Sequence, residues 1–179
     1  MSELDLILWM QGASPSLDSV MVALSLMAYH ASFWVLLAIL MVVSKGHRRP
    51  GIAILISLFA AYVAVELVIK TLIHRERPYI AESLTPMIVD SLSYSFPSGH
   101  TAYSFASATV IAMHYGKWCI PAFVLASMIG LSRIYLALHW PTDVVAGALI
   151  GIVVAIVCVT LLRRNVSYFR EGAEESRNV

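Results

Sequence analysis

The chain has 179 residues, of which 59% are hydrophobic and 13% charged, and its mean hydropathy is +0.79. Soluble domains contain about 25% charged residues, so this composition excludes an ordinary soluble protein and indicates a protein of the lipid bilayer. A net charge of +1 provides no basic surface for nucleic acid, which is therefore excluded as a partner. Cys119 and Cys158 have neither metal-ligand nor disulfide-framework spacing, and we interpret them as apolar core residues.

The N-terminal segment, residues 1–16, differs from a cleavable signal sequence. It carries Glu3 and Asp5 where a signal sequence would carry basic residues, and its apolar run is too short to cross a bilayer. The segment is therefore predicted to form a helix that lies at the membrane interface.

Five apolar stretches of near membrane-spanning length follow, where about 17 to 25 residues are needed for one helix. The sequence thus predicts an all-α fold, a polytopic membrane helix bundle of about five transmembrane helices plus the interfacial helix, as one domain over residues 1–179. The predicted spans are residues 17–43, 51–73, 98–113, 118–138 and 141–162. The Gly147-x-x-x-Gly151 spacing in the last span favours close helix packing.

The distribution of basic residues predicts the orientation in the membrane, because basic loops are retained on the cytoplasmic side. The basic positions between spans all fall on one side of the layout: Lys45, Arg48, Arg49, Lys117, Arg163 and Arg164. We therefore expect the N-terminus outside, the loop 74–97 outside and the tail 163–179 in the cytoplasm. Cysteines introduced at Ser91 and Ser176 would report on the two sides.

Four basic residues remain at the predicted outer ends of the second and fourth spans: Lys70, Arg75, Arg77 and Arg133. Ionisable groups at that depth are costly and need an explanation. Taken singly, each is compatible with an interface anchor whose charged end reaches towards water. Lys70 and Arg77 are seven residues apart and would share a helix face if the helix continued that far, although Pro78 suggests that it ends nearby.

A second polar cluster, Pro97-Ser98-Gly99-His100, stands where the outer loop enters the third span. The N-terminus of a helix offers free backbone N–H groups and the positive end of the helix dipole, and glycine lets an anion approach the backbone. The cluster is therefore a candidate phosphate site. Alone, it is more typical of a helix cap with Ser98 at the N-cap position.

A third cluster comprises Arg133, His139 and Asp143, around the turn between the fourth and fifth spans. Pro141 predicts the first turn of a helix there, and four-residue spacing would let the Asp143 carboxylate reach the His139 imidazole and fix its tautomer. The five-span layout brings all three clusters to the outer surface together. Their agreement favours one catalytic site over three separate structural features.

The three clusters together resemble the three-part signature of the type 2 phosphatidic acid phosphatase superfamily. The matching motifs are Lys70-x6-Arg77-Pro78, Pro97-Ser98-Gly99-His100 and Ser132-Arg133-x5-His139-x3-Asp143. The resemblance covers residues 70–143 without a gap at the signature positions. Because the superfamily also contains haloperoxidases and soluble acid phosphatases, it implies phosphate or vanadate chemistry and leaves the substrate open.

The resemblance implies a role for each matching residue. His139 would be the nucleophile that takes the phosphoryl group, Asp143 would hold its other ring nitrogen, and His100 would protonate the leaving oxygen and later activate water. The phosphate-binding residues would be Lys70, Arg77, Ser98, Gly99 and Arg133. Since the sequence has no metal-binding motif and three cations can stabilise the phosphoryl oxygens, we expect metal-independent hydrolysis without a cofactor.

The expected substrate is a lipid phosphate or diphosphate that reaches the site laterally from the outer leaflet. The sequence segments around His100 and His139 are similar to those of bacterial undecaprenyl-diphosphate phosphatases. This resemblance implies hydrolysis of undecaprenyl diphosphate at the cell membrane. Phosphatidylglycerophosphate or phosphatidic acid phosphatase, lipid phosphotransferase and non-catalytic binding or transport protein remain alternatives. The oligomeric state stays open.

Two further expectations concern polar residues outside the signature. Glu66 precedes Lys70 by four residues, which favours a helical ion pair. His30 and His114 fit no motif, and we interpret both as structural.

Overall fold

The computed structural model describes residues 2–12, 15–88 and 93–164, and these residues form helices with no β-strand among them. This confirms the all-α prediction. The eight α-helices of the described chain are α1 (Glu3–Gln11), α2 (Asp18–Met27), α3 (Ser32–Val43), α4 (Arg48–Leu72), α5 (Pro78–Ala81), α6 (Gly99–Tyr115), α7 (Cys119–Tyr135) and α8 (Pro141–Arg164).

Helix α1 forms within the segment that the sequence assigns to the interface. Ser2 caps it, because the Ser2 hydroxyl accepts from the Asp5 backbone N–H while the Asp5 carboxylate accepts from the Ser2 N–H. Ile7 is fully buried, and it packs with Ile134 at the end of α7 and with Ala137 and Trp140 of the turn that follows. Helix α1 therefore docks on the end of the bundle.

The first predicted span, residues 17–43, forms two helices joined by a break rather than one continuous helix. A turn at Tyr29–Ala31 separates α2 from α3, and the two helices are bent by 47°. His30 and Ala31 have φ of 48° and 58°, the left-handed region that non-glycine residues rarely adopt. Such strain persists only where the surrounding structure enforces it. Trp34 supplies part of that constraint, since its indole N–H donates to Ser104 on α6.

Helix α4 corresponds to the second predicted span and contains a π-helical segment, Val63–Ile69. Glu66 lies inside that segment and Lys70 directly after it. The helix ends at Leu72, so Lys70 and Arg77 do not share a helix face: Arg77 has an extended backbone just before Pro78. Fixed φ and the missing N–H make proline a natural first residue of α5.

The centre of the bundle is α6, which packs most closely against α8. The glycines of α8 make this possible: a side chain at Gly147 would collide with the Ser98 carbonyl oxygen, and one at Gly151 with the Ala102 carbonyl oxygen. The predicted role of the Gly147-x-x-x-Gly151 spacing in close packing is confirmed.

Among the described helices, α4 and α8 are long and apolar enough to cross a bilayer, and the bent pair α2–α3 makes a third span if it crosses as one. Helices α6 and α7 have 17 residues each, about 25 Å at 1.5 Å per residue, against a hydrocarbon core of about 30 Å. The polytopic bundle is thus supported, and the number of five spans stays a prediction.

Replacing Gly151 by Ala should push α8 away from α6, because the new methyl group meets backbone atoms that cannot turn aside. We expect a loss of about 2 kcal/mol, measured as the free energy of unfolding in detergent, within the range for overpacked cores. Gly12→Ala is the control, since its methyl group would meet the nearest atom at an ordinary 3.5 Å. Equal stability of the two variants would contradict this packing.

Candidate active site

A cavity of about 520 Å³ opens between α4, α6, the turn that joins α2 to α3, and the turn after α7. One part of its wall is polar and the other part is apolar. The polar wall residues are His30, Glu66, Lys70, Arg77, Ser93, His100 and His139, and the others are Tyr29, Ala31, Val35, Leu58, Tyr62, Gly99 and Tyr103. Residues from four separate parts of the sequence, 29–35, 58–77, 93–103 and 139, thus meet at one cavity.

Two of the cavity's cations are held by the same loop residue. Lys70 donates to Glu66 at 2.9 Å, which confirms the predicted ion pair, and to the Ser93 hydroxyl at 3.3 Å. Arg77 is 2% exposed and donates to the Ser93 carbonyl oxygen and, at 3.3 Å, to that of Leu138. These contacts fix both positive charges before a ligand arrives.

Arg133 is also buried, at 1% exposure, but the cavity wall as described does not include it. Its guanidinium donates to the Ser25 hydroxyl of α2. It lies near enough to His139 and Lys70 to act on both electrostatically. Arg133 therefore adds positive charge to the site.

His139 lies in the turn between α7 and α8. The turn is set by Ala137, which has φ of 55°, and by two N–H groups, those of Leu138 and His139, that donate to the Arg133 carbonyl oxygen. The His139 ring nitrogen Nδ1 is 2.7 Å from the Ser95 carbonyl oxygen. A carbonyl oxygen only accepts, so Nδ1 carries the proton and Nε2 keeps its lone pair.

The His139 side chain is neutral at neutral pH. Burial lowers its pKa well below the ordinary histidine value, and the nearby charges of Arg77, Arg133 and Lys70 lower the pKa further. The hydrogen bond to Ser95 only partly offsets these effects. A neutral imidazole with a free Nε2 lone pair is the form that a nucleophile requires.

Asp143 does not hydrogen-bond His139 directly, in contrast to the prediction from their spacing. The Asp143 Oδ2 atom is 3.8 Å from His139 Nδ1, but 2.5 Å from the Ser95 hydroxyl oxygen and 2.9 Å from the backbone nitrogen of Trp140. The carboxylate turns back to cap the first turn of its own helix. Asp143 therefore contacts Ser95, the residue whose carbonyl orients the imidazole. No spacing in the sequence indicated this role of Ser95.

The start of α6 also differs in detail from the expected phosphate site. Ser98 occupies the N-cap position without a side-chain capping bond, and its hydroxyl accepts from Thr101 instead. A side chain at Gly99 would lie 2.7 Å from a Glu66 carboxylate oxygen, so the absent side chain makes room for Glu66. Gly99 and His100 still bring the positive end of the α6 dipole to the cavity wall.

The structure thus brings five of the eight predicted site residues to the cavity wall and buries three beside it. Lys70, Arg77, Gly99, His100 and His139 line the cavity, and Ser98, Arg133 and Asp143 are buried. Sequence reasoning missed Ser93 and Ser95, and it assigned His30, a wall residue, a purely structural role. Among the described residues, no group of three or more His, Cys, Asp and Glu side chains could hold a metal. Metal independence stays a prediction.

A cavity that gathers fixed cations, a helix N-terminus and a neutral histidine defines a class of protein that handles phosphate groups. Residues 50–167 match the family model of the PAP2 superfamily. This chain belongs to that superfamily.

Relatives and solved structures agree with the assignment. The chain is 32% identical to undecaprenyl-diphosphatase of Sulfolobus acidocaldarius over 120 residues, which is 66% of this chain and 58% of that protein, so the chain spans less than two thirds of it. It is 30% identical to undecaprenyl-diphosphatase BcrC of Bacillus subtilis over 77% of this chain and 71% of that protein. The crystal structure of a transmembrane PAP2 type phosphatidylglycerolphosphate phosphatase from Bacillus subtilis superposes with a TM-score of 0.74 at 23% identity, covering 91% of this chain and 85% of that one, and so shows the shared fold.

Ser95→Ala should slow turnover, because it removes the hydroxyl that connects Asp143 to the loop while keeping the backbone carbonyl that accepts from His139. Leaving Asp143 one partner short costs about 1–3 kcal/mol, and we expect kcat to fall about 10- to 100-fold. Ser107→Ala is the matched control: Ser107 is a buried serine of α6 whose hydroxyl, among the described residues, donates to the Tyr103 carbonyl of its own helix. A Ser95→Ala variant with the kcat of the parent would contradict the role given to this hydroxyl.

Proposed function

We propose that this protein is an integral-membrane lipid phosphate phosphatase that hydrolyses undecaprenyl diphosphate to undecaprenyl phosphate and phosphate through a phosphohistidine intermediate. The observation that carries the proposal is the neutral His139, with its Nδ1 proton held by Ser95, in a cavity that also contains Lys70, Arg77 and His100. Phosphoryl transfer depends chiefly on positioning and on stabilising the charge of the phosphoryl oxygens.

The first half of the reaction transfers the terminal phosphoryl group to His139. Its Nε2 lone pair forms a bond to phosphorus as the bond from phosphorus to the bridging oxygen breaks. His100 gives its proton to the departing lipid phosphate, and the cations of Lys70, Arg77 and Arg133 stabilise the phosphoryl oxygens. Stabilisation by fixed charges needs no reorganisation during the step.

The second half returns the enzyme to its starting state. His100, now neutral, takes a proton from water as the water oxygen bonds to phosphorus, and the bond from phosphorus to His139 breaks. Asp143 and Ser95 keep the imidazole in one tautomer through both steps. The reaction releases inorganic phosphate and requires neither a metal nor a cofactor.

The shape of the cavity supports a lipid substrate. Its polar wall continues into an apolar wall formed by Ala31, Val35 and Leu58. These residues belong to α4 and to the bent pair α2–α3, which are long enough to cross a bilayer. The charged headgroup can thus lie against Lys70 and Arg77 while the chain leaves between apolar side chains.

The names of two relatives support undecaprenyl diphosphate as the substrate, and the structural neighbour from Bacillus subtilis favours phosphatidylglycerophosphate as the second candidate. Transfer from His139 to another lipid in place of water would use the same intermediate. The first half-reaction is common to all three, so substrate and acceptor must be measured directly.

The purified protein should release phosphate in detergent with EDTA present, faster from undecaprenyl diphosphate than from phosphatidylglycerophosphate or phosphatidic acid. His139→Ala should lower kcat by at least about 10³-fold and abolish the labelled phosphoenzyme trapped from a ³²P substrate under alkaline conditions. His114→Ala, at the far end of α6, is the histidine control. Substantial turnover by His139→Ala would overturn the nucleophile, and a preference for another lipid would overturn the substrate.

We also propose that the active site faces the outside of the cell membrane, with the N-terminus outside and the tail inside, as the basic residues indicate. Ser91 and Ser176, the labelling positions suggested by the sequence, lie outside the described residues. Two described, exposed positions replace them: Glu82 after α5 and Lys45 between α3 and α4.

With Cys119 and Cys158 first replaced by Ser, Glu82→Cys should react with an impermeant thiol reagent on intact cells. Lys45→Cys should react only after permeabilisation, because the intact membrane separates it from the reagent. The measurement is the labelled fraction of each variant before and after permeabilisation. The opposite pattern would invert the orientation and place hydrolysis at the inner leaflet.

A further inference from the structure

The interfacial helix α1 reaches the active site through Glu3. One Glu3 carboxylate oxygen accepts from the Thr142 backbone N–H at 2.9 Å and from the Thr142 hydroxyl at 2.7 Å. Thr142 is the second residue of α8, whose first backbone N–H groups lack partners within the helix. Glu3 thus caps the start of α8 from a different helix.

The other Glu3 oxygen accepts from Arg75 at 2.6 Å, and Arg75 continues the connection inward. Its Nη1 atom donates to Asp143 Oδ1 at 2.6 Å, and its guanidinium lies 5.1 Å from the centre of a Trp140 ring. Asp143 in turn accepts from the Ser95 hydroxyl, whose residue holds His139. An unbroken series of polar contacts therefore runs from Glu3 to the nucleophile.

We infer that Glu3 is a positioning residue for His139 and that α1 is a strap that holds the catalytic turn from outside. The inference rests on the proposed role of His139 in phosphoryl transfer. Asp143 has two carboxylate oxygens, and Arg75 holds one so that the other points at Ser95. Glu3 restrains Arg75 in turn.

Arg75 needs this restraint because its side chain is 31% exposed, whereas Asp143 is fully buried. Without Glu3, Nη1 keeps the Asp143 carboxylate and the Thr142 hydroxyl as acceptors, but Nη2 loses the Glu3 carboxylate and the guanidinium can turn towards water. Burial raises the pKa of Glu3, but hydrogen bonds from Thr142 and Arg75 lower it more, so the pKa lies below its usual value and Glu3 is ionised at neutral pH.

The strap is also attached to the bundle by an apolar contact. The polar contacts of Glu3 can therefore be removed while α1 stays in place. Ile7 is fully buried against Ile134, Ala137 and Trp140, so α1 remains docked when the Glu3 charge is removed. Ion pairs at partly exposed positions contribute little to stability. A variant at Glu3 should therefore change catalysis far more than unfolding.

Glu3→Gln should lower kcat about 10-fold and leave KM within about twofold, because misplacing a catalytic group affects the chemical step. Asp5→Asn is the matched control on the same helix: it removes the same charge from a carboxylate that contacts Ser2 alone among its described partners. The Glu3→Gln, Arg75→Gln double variant should be no slower than Arg75→Gln, since Glu3 acts through Arg75.

A second measurement does not depend on turnover. Orthovanadate forms a bond to a nucleophilic nitrogen in the geometry of phosphoryl transfer, and its binding to Glu3→Gln should be about 10-fold weaker than to the parent and to Asp5→Asn. The vanadate ratio holds whichever lipid the enzyme hydrolyses, so an unexpected substrate preference would remove the proposed function and leave this inference standing.

Three results would each overturn the strap. The first is unchanged kcat and unchanged vanadate affinity in Glu3→Gln. The second is the same loss in Asp5→Asn, which would trace the effect to helix charge. The third is additive losses in the double variant, which would show that Glu3 does not act through Arg75.

Discussion

Positive charge held inside an apolar helix bundle is the constraint on which the rest of this structure depends. Lys70, Arg77 and Arg133 repel one another, and burial removes the water that would otherwise solvate them. Each is held by fixed oxygen acceptors: Glu66 and Ser93 for Lys70, the carbonyls of Ser93 and Leu138 for Arg77, and Ser25 for Arg133. With a single carboxylate, Glu66, on the cavity wall among the described residues, a phosphate group supplies the negative charge that the site lacks.

The same constraint explains why irregular backbone surrounds the site. Carbonyl groups inside regular helices are occupied by helical hydrogen bonds, so backbone acceptors for a buried cation come from residues outside helices. For Arg77, Ser93 supplies one from the loop before α6 and Leu138 another from the turn after α7. The Ser95 carbonyl of the same loop accepts from the neutral His139. The loop and the turn thus supply backbone acceptors for Arg77, while the helices supply Glu66 for Lys70 and Ser25 for Arg133.

The sequence predicted most of the fold because the length of each apolar stretch and the positions of the charged residues can be identified from residue order alone. The positions of α4, α6, α7 and α8 followed from apolar stretches, and the site residues from the costly charges at their ends. The break at Tyr29–Ala31 was not predictable, since no proline or glycine marks it and tertiary packing enforces its left-handed residues. The indirect link from Asp143 to His139 was missed because four-residue spacing shows only that the carboxylate can reach the imidazole. The competing hydrogen bond from the Trp140 backbone N–H determines where the carboxylate points.

The break in the first span divides it into two parts with separate attachments. Helix α2 is tied to the end of α7, where Ser25 accepts from Arg133 and Asp18 accepts from the Tyr135 hydroxyl. Helix α3 is tied to the centre of α6 by the bond from Trp34 to Ser104. Because His30 and Ala31 interrupt the helical backbone, α2 and α3 follow different axes, 47° apart. The first span therefore joins two parts with different partners: α2 contacts the end of α7, beside the turn that carries His139, and α3 contacts α6.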